Sequence, residues 1–390
     1  MKVFKTDDMR VPVKSWCMNP EQGAIDQAKN LANLPFTFKH IALMPDTHQG
    51  FGMPIGGVLA TKGVVIPNAV GVDIGCGMCS VESNITDWNK DLLTEVVKEI
   101  RYNVPVGFGK HISPKAQEKL PAANRKNAYY ENFFEASLYQ IGTLGGGNHF
   151  IELQKNADGK LCLMIHSGSR NIGKQVADHF NKMALALNEK WFSKVSGDLD
   201  LAFLPLDSEE GQAYMDEMQY CVEFALANRM EMMNQCQQAI YKVFKPLQQV
   251  EFNNFINIPH NYARLENHFG ENVVVHRKGA TSAREGEIGL IPGSQGTKSY
   301  IVRGKGAKES FESCSHGAGR TMGRKQAQRT LDLAKEQAAL DAKGIIHAVR
   351  SVDDLDEAPS SYKNIDVVME EQKDLVDIVM ELTPLAVIKG

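Results

Sequence analysis

The chain lacks a long apolar run, a recognisable leader and the cysteine pattern of a secreted protein. Its longest uncharged stretch near the front, residues 63–72, contains Pro67 and Asn68. That stretch is far shorter than the roughly 20 apolar residues of a membrane-spanning helix, so we expect no membrane association. The first ten residues, MKVFKTDDMR, include acids and no apolar segment, so we expect no signal peptide. Seven cysteines, an odd number, do not form a disulfide framework and favour a reducing cytoplasm.

The standard nucleotide-binding motifs are also absent. Residues 293–299, GSQGTKS, resemble a P-loop, but their two glycines are too close together for GxxxxGK[ST]. Residues 50–56, GFGMPIG, do not fit the dinucleotide motif GxGxxG. The remaining glycine-rich loops, at 142–147, 292–296 and 317–319, have two interpretations that the sequence leaves open. They are either nests of backbone N–H groups for a phosphate or simple tight turns.

The composition is that of a globular protein. Hydrophobic residues make up 43% of the chain and charged residues 23%, which excludes disorder of the whole chain. There is no internal repeat, low-complexity tract or linker. We therefore predict an α+β fold, a single large mixed α/β domain over residues 1–390.

Apolar spacing and turn residues predict the main elements. Short β-like runs, HIALMPD, LCLMIH, FINIPH and NVVVH, each lead into polar turn residues, where function usually lies. Helical spacing predicts five helices, which span about Thr86–Arg101, Gly173–Trp191, Asp207–Phe244, Arg324–Lys343 and Ile365–Leu382. A capping box at Asp207 and Glu210 would begin the third, Gly344 would end the fourth, and Asn364 would cap the fifth.

Charge is unevenly distributed. The net formal charge of −4 excludes a polybasic nucleic-acid coat protein. Residues 276–330, however, contain 11 Lys and Arg against 4 Asp and Glu. This excess indicates a local basic face for an anionic ligand or a nucleic-acid end; the alternative is random variation of the surface.

Four of the eleven histidines follow a strand or an apolar run and precede a polar turn: His149, His166, His260 and His316. The segment NAVGVDIGCGMCS adds Asp73 and Cys76, three residues apart among glycines. Carboxylate, thiolate and several imidazoles together suit Mn, Fe, Co or Zn, and a thiolate can bridge two ions. The competing interpretation is a redox site or half a zinc knuckle at Cys76-Gly-Met-Cys79, although no second C-x-x-C exists in the chain.

Ten segments in one order resemble the RtcB family of RNA-splicing ligases, and they cover the chain from about residue 40 to Gly390. They are PDTHQGFGMPIGG, PNAVGVDIGCGM, GTLGGGNHFIEL, HSGSRNIG, PHNYA, HRKGATSAREG, IPGSQGTKSYIVRG, SCSHGAGR, SYKNID and VIKG. Each segment alone is only suggestive, whereas ten in order are highly specific. The resemblance implies the RtcB fold, with strands that end in glycine-rich polar loops around a central dinuclear metal site.

The resemblance also implies a chemistry: joining an RNA 3′-phosphate or 2′,3′-cyclic phosphate end to a 5′-hydroxyl end, with GTP and two Mn²⁺ as cofactors, in tRNA splicing or RNA repair. His316 matches the position that takes GMP covalently. The matched metal ligands, with Cys76 bridging, are Asp73, Cys76 and His149 for one ion and Cys76, His166 and His260 for the other. The matched nucleotide positions are Asn148, His149, Phe150, Ile151, Glu152, His260, Asn261, Pro292, Gly293, Ser294, Gln295, Ser299, His316, Gly317, Ala318, Gly319, Tyr362 and Lys389. Arg170 and Arg320 match positions suited to an RNA phosphate.

Several points stay open at this level. Gln295 stands where the family commonly has Met, which puts one nucleotide contact in question. The implied partners are RNA and, in some family members, an archease-type activator; we expect a monomer or weak dimer. Two other classes remain: a metal-dependent phosphoesterase that uses water at the same site, and a non-catalytic protein that binds RNA ends or metal.

Overall fold

Two large sheets, mostly antiparallel, organise the residues that the computed structural model describes, 1–122 and 129–390. One has six strands in the order β1-β2-β3-β4-β12-β11, and the other has seven in the order β10-β6-β8-β7-β17-β15-β14. Two small sheets pair β13 with β16 and β5 with β9. The strands are β1 (Lys2–Phe4), β2 (Val13–Ser15), β3 (Thr37–His48), β4 (Ile55–Thr61), β5 (Val64–Val65), β6 (Gly77–Ser83), β7 (Phe150–Lys155), β8 (Leu161–Ser167), β9 (Leu204–Pro205), β10 (Phe252–Pro259), β11 (Asn261–His268), β12 (Glu271–Lys278), β13 (Ala280–Ser282), β14 (Ile288–Ile291), β15 (Ser299–Gly304), β16 (Ser313–Ser315) and β17 (Val376–Lys389).

Helices pack on these sheets, and the longest of them contacts both. The helices are α1 (Gln22–Ala32), α2 (Lys90–Asn103), α3 (Phe134–Gln140), α4 (Ile172–Lys190), α5 (Glu209–Phe244), α6 (Arg324–Thr330), α7 (Leu333–Asp341) and α8 (Ile365–Glu371). The second half of α5 packs on the seven-stranded sheet and its first half packs against α4 and β11. The architecture is mixed α and β in a single domain, which confirms the predicted fold class. Within the described residues, none of the helices combines the length and apolarity needed to cross a membrane.

The seven-stranded sheet has one apolar face and one face that carries polar side chains. In β7, Ile151 and Leu153 point into the core that α2 and α5 cover. Phe150 and Glu152 alternate with them and therefore point to the opposite face. The register places Phe150 beside His166 of β8 and Glu152 beside Val387 of β17. The paired strands β8, β7 and β17 thus form the surface on which the site lies.

Four predicted strands are confirmed, and helices form close to three of the five predicted ranges. Helix α4 follows its predicted range within one residue at each end, and Asn364 caps α8 by accepting from the Asp366 N–H. Helix α2 begins later than predicted because Asn89 caps it, accepting from Leu92 N. Helix α5 begins with Ser208, whose hydroxyl accepts from Gly211 N, so the capping box at Asp207 and Glu210 is wrong.

Two predicted helices are wrong in extent. The range 324–343 is two helices, because Asp332 caps α7 through Lys335 N and interrupts the first helix. The range 365–382 is helical only to Glu371; residues 372–375 form a turn, and residues 376–382 belong to β17. This strand pairs with β15 on one side and β7 on the other. Pairing on both edges overrides the helical spacing of its apolar residues, which is a tertiary effect.

Candidate active site

Five side chains converge where β6 and β7 begin and where β8 and β10 end. Their donor atoms form two groups that share Cys76, within 4.8 Å of one another in each group: Asp73, Cys76 and His149, and Cys76, His166 and His260. The Cys76 Sγ lies 3.2 Å from the His166 Nε2 and 3.5 Å from the His149 Nε2. The structure therefore brings together all five predicted ligands, in the two predicted groups.

Main-chain carbonyl groups orient two of these imidazoles. The Nδ1 atoms of His149 and His166 lie 3.0 and 3.1 Å from the carbonyl oxygens of Leu144 and Asn148. A carbonyl oxygen only accepts, so each ring carries its proton on Nδ1 and turns the Nε2 lone pair inward. Burial, with the neighbouring imidazoles, holds the pKa values of His166 and His260 well below the ordinary value. The neutral His166 ring, with its Nε2 turned inward, is ready to act as a metal ligand.

The shared thiol needs a cation if it is to ionise. Burial, together with the neighbouring Asp73 carboxylate, raises the pKa of Cys76 well above that of a free thiol. A bound divalent ion would reverse this preference because it stabilises the thiolate directly. The mixed set of one thiolate, one carboxylate and three imidazoles suits Mn²⁺ better than Mg²⁺, which prefers oxygen ligands. The donor set therefore fits two metal ions, and their presence remains a prediction.

The competing C-x-x-C interpretation does not match the geometry. Cys79 lies in the apolar core with Val81 and Ile165, and it belongs to neither donor group. Cys76 and Cys79 are both free thiols. The side chain of Cys79 therefore serves packing.

Two residues of α5 hold the ligand-bearing loops together, and sequence reasoning missed both. The Arg229 guanidinium is fully buried and donates to the carbonyl oxygens of Gly75 and Ser167 at 2.9 and 2.8 Å. Asn228, also fully buried, accepts from Gly142 N and Thr143 N and donates to Gly168 O. One helix thus fixes three loops through their main chains. An Asn-Arg pair within a helix gives no sequence signal of this role.

His316 lies beside the metal-ligand cluster and is held by a carboxylate that sequence reasoning also missed. Its ring is 4.8 Å from that of His260, centroid to centroid. Its Nδ1 is 2.6 Å from the Oδ2 of Asp46, which is fully buried and also accepts from the main-chain N–H groups of His316 and Gly317. The proton on Nδ1 is therefore directed to Asp46, which leaves Nε2 with a free lone pair.

Gly319 lets this loop approach Asp46. Its φ is +74°, and a Cβ atom there would lie 2.2 Å from the Asp46 carbonyl oxygen. No other residue fits this conformation and this spacing without strain. For the loop at 317–319, the tight-turn interpretation is therefore supported, and a role in phosphate binding remains a prediction.

A pocket opens between His316 and the polar face of the seven-stranded sheet. Most of the predicted nucleotide positions line it, as do both a predicted metal ligand and a predicted RNA-phosphate residue: Asn148, Phe150, Glu152, His166, Pro292, Gly293, Ser294, Gln295, His316, Gly317, Ala318, Gly319, Arg320, Tyr362 and Lys389. Sequence reasoning missed five further lining residues: His48, Ile55, Arg324, Glu357 and Val387.

Four predicted positions outside the metal-ligand cluster do not line the pocket. Ile151 faces the apolar core, so a side-chain contact with a nucleotide is excluded for it. Ser299 accepts from Gln154 Nε2 and Gly293 N, and Asn261 donates to Asp73 O and accepts from Gly279 N. Arg170 donates to Thr143 Oγ1 and Gly107 O beside the metal-ligand loops. Three of these four side chains thus orient the loops of the site.

Gln295, the departure from the family pattern, has a local explanation. Its side chain is buried; its Nε2 donates to Glu357 O at 3.0 Å and its Oε1 accepts from Ala348 N at 3.1 Å. The nitrogen and the oxygen of the side-chain amide therefore both bond to main-chain polar groups. A methionine, which the resemblance implies for this position, has no N–H to donate, whereas Gln295 connects this loop to the segment that carries Glu357.

Glu152 is the acidic group at the sheet end of the pocket. Burial raises its pKa to about 8, although a hydrogen bond from Gln154 and the charge of Lys389 oppose this rise. The carboxyl group is 3% exposed, so its neutral form is favoured in the free protein. A ligand with two N–H donors would favour the ionised form instead.

This raised pKa predicts a pH-dependent stability. A carboxyl group whose folded-state pKa is raised contributes stability at low pH, and the contribution is lost as the pH rises from about 4.5 to about 8. Glu152→Gln is neutral at every pH and should avoid this loss, on the order of a few kcal/mol. Chemical denaturation at several pH values measures it. Glu95→Gln, at an exposed ion pair of α2, is the control, and parallel pH curves for Glu152→Gln and wild type would contradict the assignment.

A wider cleft adjoins the pocket and shares with it His48, Ile55, Arg320 and Arg324. Lys174, Lys278 and Lys325 also line the cleft. Phe51, 78% exposed, adds an aromatic face at its edge. Cationic groups beside an exposed aromatic ring are the usual elements of a surface for single-stranded nucleic acid.

The basic stretch 276–330 only partly supplies this cleft. Four of its cations line the cleft, Lys278, Arg320, Arg324 and Lys325. Others are paired elsewhere: Arg277 with Glu266 in the interior, Lys298 with Glu381, and Lys305 with Asp377. Part of the stretch therefore contributes cations to the cleft, part is paired elsewhere, and a local basic face for an anionic ligand stays a prediction.

Comparison with known proteins agrees with this geometry. Residues 27–390 match the family model described as tRNA-splicing ligase RtcB. The chain is 38% identical to the RNA-splicing ligase RtcB of Escherichia coli strain K12, with 97% of each chain covered. It is 32% identical to the tRNA-splicing ligase RtcB of Thermococcus kodakarensis, over 94% of this chain and 91% of that protein. The chain belongs to the RtcB family.

Proposed function

We propose that this protein is an RNA ligase that joins RNA 3′-phosphate or 2′,3′-cyclic phosphate ends to 5′-hydroxyl ends through a covalent histidine–GMP intermediate. The observation that carries the proposal is the His316–Asp46 pair, which opens on a pocket beside two donor groups that share Cys76. Relatives named RNA-splicing and tRNA-splicing ligases support the choice of RNA as substrate.

In the first step the His316 Nε2 attacks the α-phosphorus of GTP. The new N–P bond forms as the bond from the α-phosphorus to the bridging oxygen breaks, and pyrophosphate leaves with that electron pair. Asp46 keeps the Nδ1 proton in place and stabilises the positive charge that develops on the ring. Two bound Mn²⁺ would screen the phosphate charge and favour departure of the leaving group.

The far end of the pocket is suited to a guanine base. The Glu152 carboxylate can accept from the N1–H and the N2 amine of guanine, a pair of donors that adenine does not present. Phe150 and Tyr362 offer aromatic faces, and Lys389 lies near both Phe150 and Glu152. This arrangement favours GTP over ATP.

The RNA steps use the adjoining cleft. A 2′,3′-cyclic phosphate end is first hydrolysed by water to a 3′-phosphate. The RNA 3′-phosphate attacks the α-phosphorus of the His316 adduct, which releases the imidazole and leaves a guanylate on the RNA end. The 5′-hydroxyl then attacks the RNA phosphorus and loses its proton to water, and GMP leaves with the electron pair of the P–O bond that breaks. Arg320 and Arg324 line both pocket and cleft, where they can bind the RNA phosphate at the join.

Incubation with α-labelled GTP and Mn²⁺ tests the proposal. The protein should retain the label through denaturation and should then seal an RNA 3′-phosphate end to a 5′-hydroxyl end. A phosphoesterase would release phosphate and retain no stable guanylate. A protein that only binds RNA ends or metal would do neither, and either result would overturn the proposal.

Asp46→Asn tests the role assigned to the carboxylate. The amide either donates to Nδ1, which selects the wrong tautomer, or accepts without a charge to stabilise the ring. We expect the rate of guanylylation to fall by about 100-fold or more, by analogy with aspartates that orient catalytic histidines. Rapid-quench measurement of the protein-bound label gives this rate.

Thr47→Val is the matched control. It removes a buried hydroxyl group that bonds to Gly56 O, next to Asp46, without touching His316. Its rate should stay near that of wild type, and the metal content of both variants should be unchanged. A normal rate in Asp46→Asn would remove the carboxylate from the mechanism.

A further inference from the structure

One buried carboxylate collects four groups that line the pocket. Glu357, at the end of the 3-10 helix Val352–Glu357, is 5% exposed. Its Oε2 accepts from Tyr362 OH at 2.6 Å and Lys389 Nζ at 2.9 Å. Its Oε1 lies 2.7 Å from Arg324 NH1 and accepts from Arg320 NH1 at 3.2 Å. One oxygen therefore contacts Tyr362 and Lys389, and the other contacts the two arginines.

The charge balance indicates that this carboxylate stays ionised. Burial alone would raise the pKa of Glu357, but Lys389 and Arg324 outweigh burial and hold the pKa below the ordinary value. Burial, reinforced by Glu357, in turn raises the pKa of Tyr362 well above that of a free phenol. Tyr362 therefore remains a hydrogen-bond donor to Oε2.

The arginines and Lys389 differ in how much they depend on Glu357. Arg324 also pairs with Asp356, and Arg320 also donates to the carbonyl oxygens of Met322 and Asp356. The Lys389 ammonium has Glu357 as its only hydrogen-bonding partner within residues 1–122 and 129–390. Loss of the carboxylate would free Lys389 while both arginines keep other contacts.

We propose that Glu357 is a positioning residue for nucleotide binding, which holds Lys389 and Tyr362 in place for the base through one oxygen and connects them to the phosphate-side arginines through the other. The inference rests on the proposed function, because Lys389 and Tyr362 are given nucleotide roles there. In this role Glu357 itself touches neither the transferred phosphorus nor His316.

Glu357→Gln separates this role from catalysis and from simple stability. The amide has the same shape but cannot hold an ammonium and a guanidinium at once. The KM for GTP in self-guanylylation should rise about tenfold, the usual effect of losing a hydrogen bond to a charged group. The rate constant of guanylylation at saturating GTP should stay within about threefold, because Asp46 still holds His316. The KM for RNA should also stay within about threefold, because both arginines keep other partners.

A double variant tests whether Glu357 acts through Lys389. Lys389→Met should itself raise the KM for GTP, and Glu357→Gln added to it should raise the KM by no more than about threefold further. Fully multiplicative effects would show that Glu357 does not act through Lys389 and would overturn the inference.

Asp354→Asn controls for loosening of the 3-10 helix. Asp354 accepts from Arg350 N and Ser351 N at the start of that helix and does not line the pocket. Its KM for GTP should match wild type, and an equal rise in both variants would assign the effect to the helix and overturn the inference. An unchanged KM in Glu357→Gln would overturn it as well. Absence of any covalent guanylate in wild type would instead contradict the proposed function.

Discussion

His316→Ala should abolish covalent guanylylation and therefore all ligation that begins from GTP and an RNA 3′-phosphate. The imidazole Nε2 is the only atom to which the first step assigns the N–P bond, and alanine offers no replacement. Both metal groups should remain intact, because their ligands are other side chains. Denaturing gels with α-labelled GTP, alongside metal analysis of the purified variant, measure both expectations.

A pre-activated substrate distinguishes loss of the nucleophile from general damage. An RNA that already carries a 3′-guanylate needs only attack by the 5′-hydroxyl, which does not use His316 as nucleophile. We expect His316→Ala to seal this RNA at a reduced but measurable rate. His347→Ala is the control, because that ring pairs with Asp341 away from the pocket. A covalent guanylate at a normal rate in His316→Ala would mean that another residue is the nucleophile.

Cys76→Ala should lose both metal ions together, because its Sγ belongs to both donor groups. Each group is left with two protein ligands, too few to hold a divalent ion tightly. His260→Ala should weaken mainly one of the two, since that ring belongs to a single group. Elemental analysis and Mn²⁺ titration of the purified proteins give the stoichiometry, and Cys76→Ala should seal neither GTP-dependent nor pre-activated RNA.

Cys79→Ala is the matched control for this experiment. It changes the same residue type three positions along the chain, within the apolar core and outside both donor groups. The variant should retain the wild-type number of ions, with a loss of stability as its main effect. Two tightly bound ions in Cys76→Ala would contradict the bridging assignment, whatever the behaviour of Cys79→Ala.

The metal-ligand cluster was predictable from sequence, because reactive residue types recur at strand ends among glycines. His149, His166 and His260 each stand at such a point, and rigid strands then bring the points together. Asp46, Arg229 and Glu357 were not predictable in the same way. Each is a single charged residue inside or beside an ordinary element, and only long-range packing decides what it contacts.

The fold was predictable where spacing and local chemistry agree, and not where distant pairing decides. Helix α4 and strand β8 have clear periodicity, and both form as expected. Residues 376–382 fall within a predicted helix, yet they belong to β17, which lies between β15 and β7. Because strand partners are distant in sequence, the periodicity of one segment cannot reveal them.

The alternation of side chains in β7 limits which insertions, deletions and substitutions this protein can tolerate. Phe150 and Glu152 face the pocket, while Ile151 and Leu153 face the core. Deleting one residue in the strand would send Ile151 toward the nucleotide and Glu152 into hydrocarbon, so the damage would extend far beyond the deleted position. Substitutions at single positions leave the alternation intact. We therefore expect libraries of variants to tolerate insertions and deletions in the connections at the sheet edges, and to accept within β7 and β8 only changes that preserve strand length.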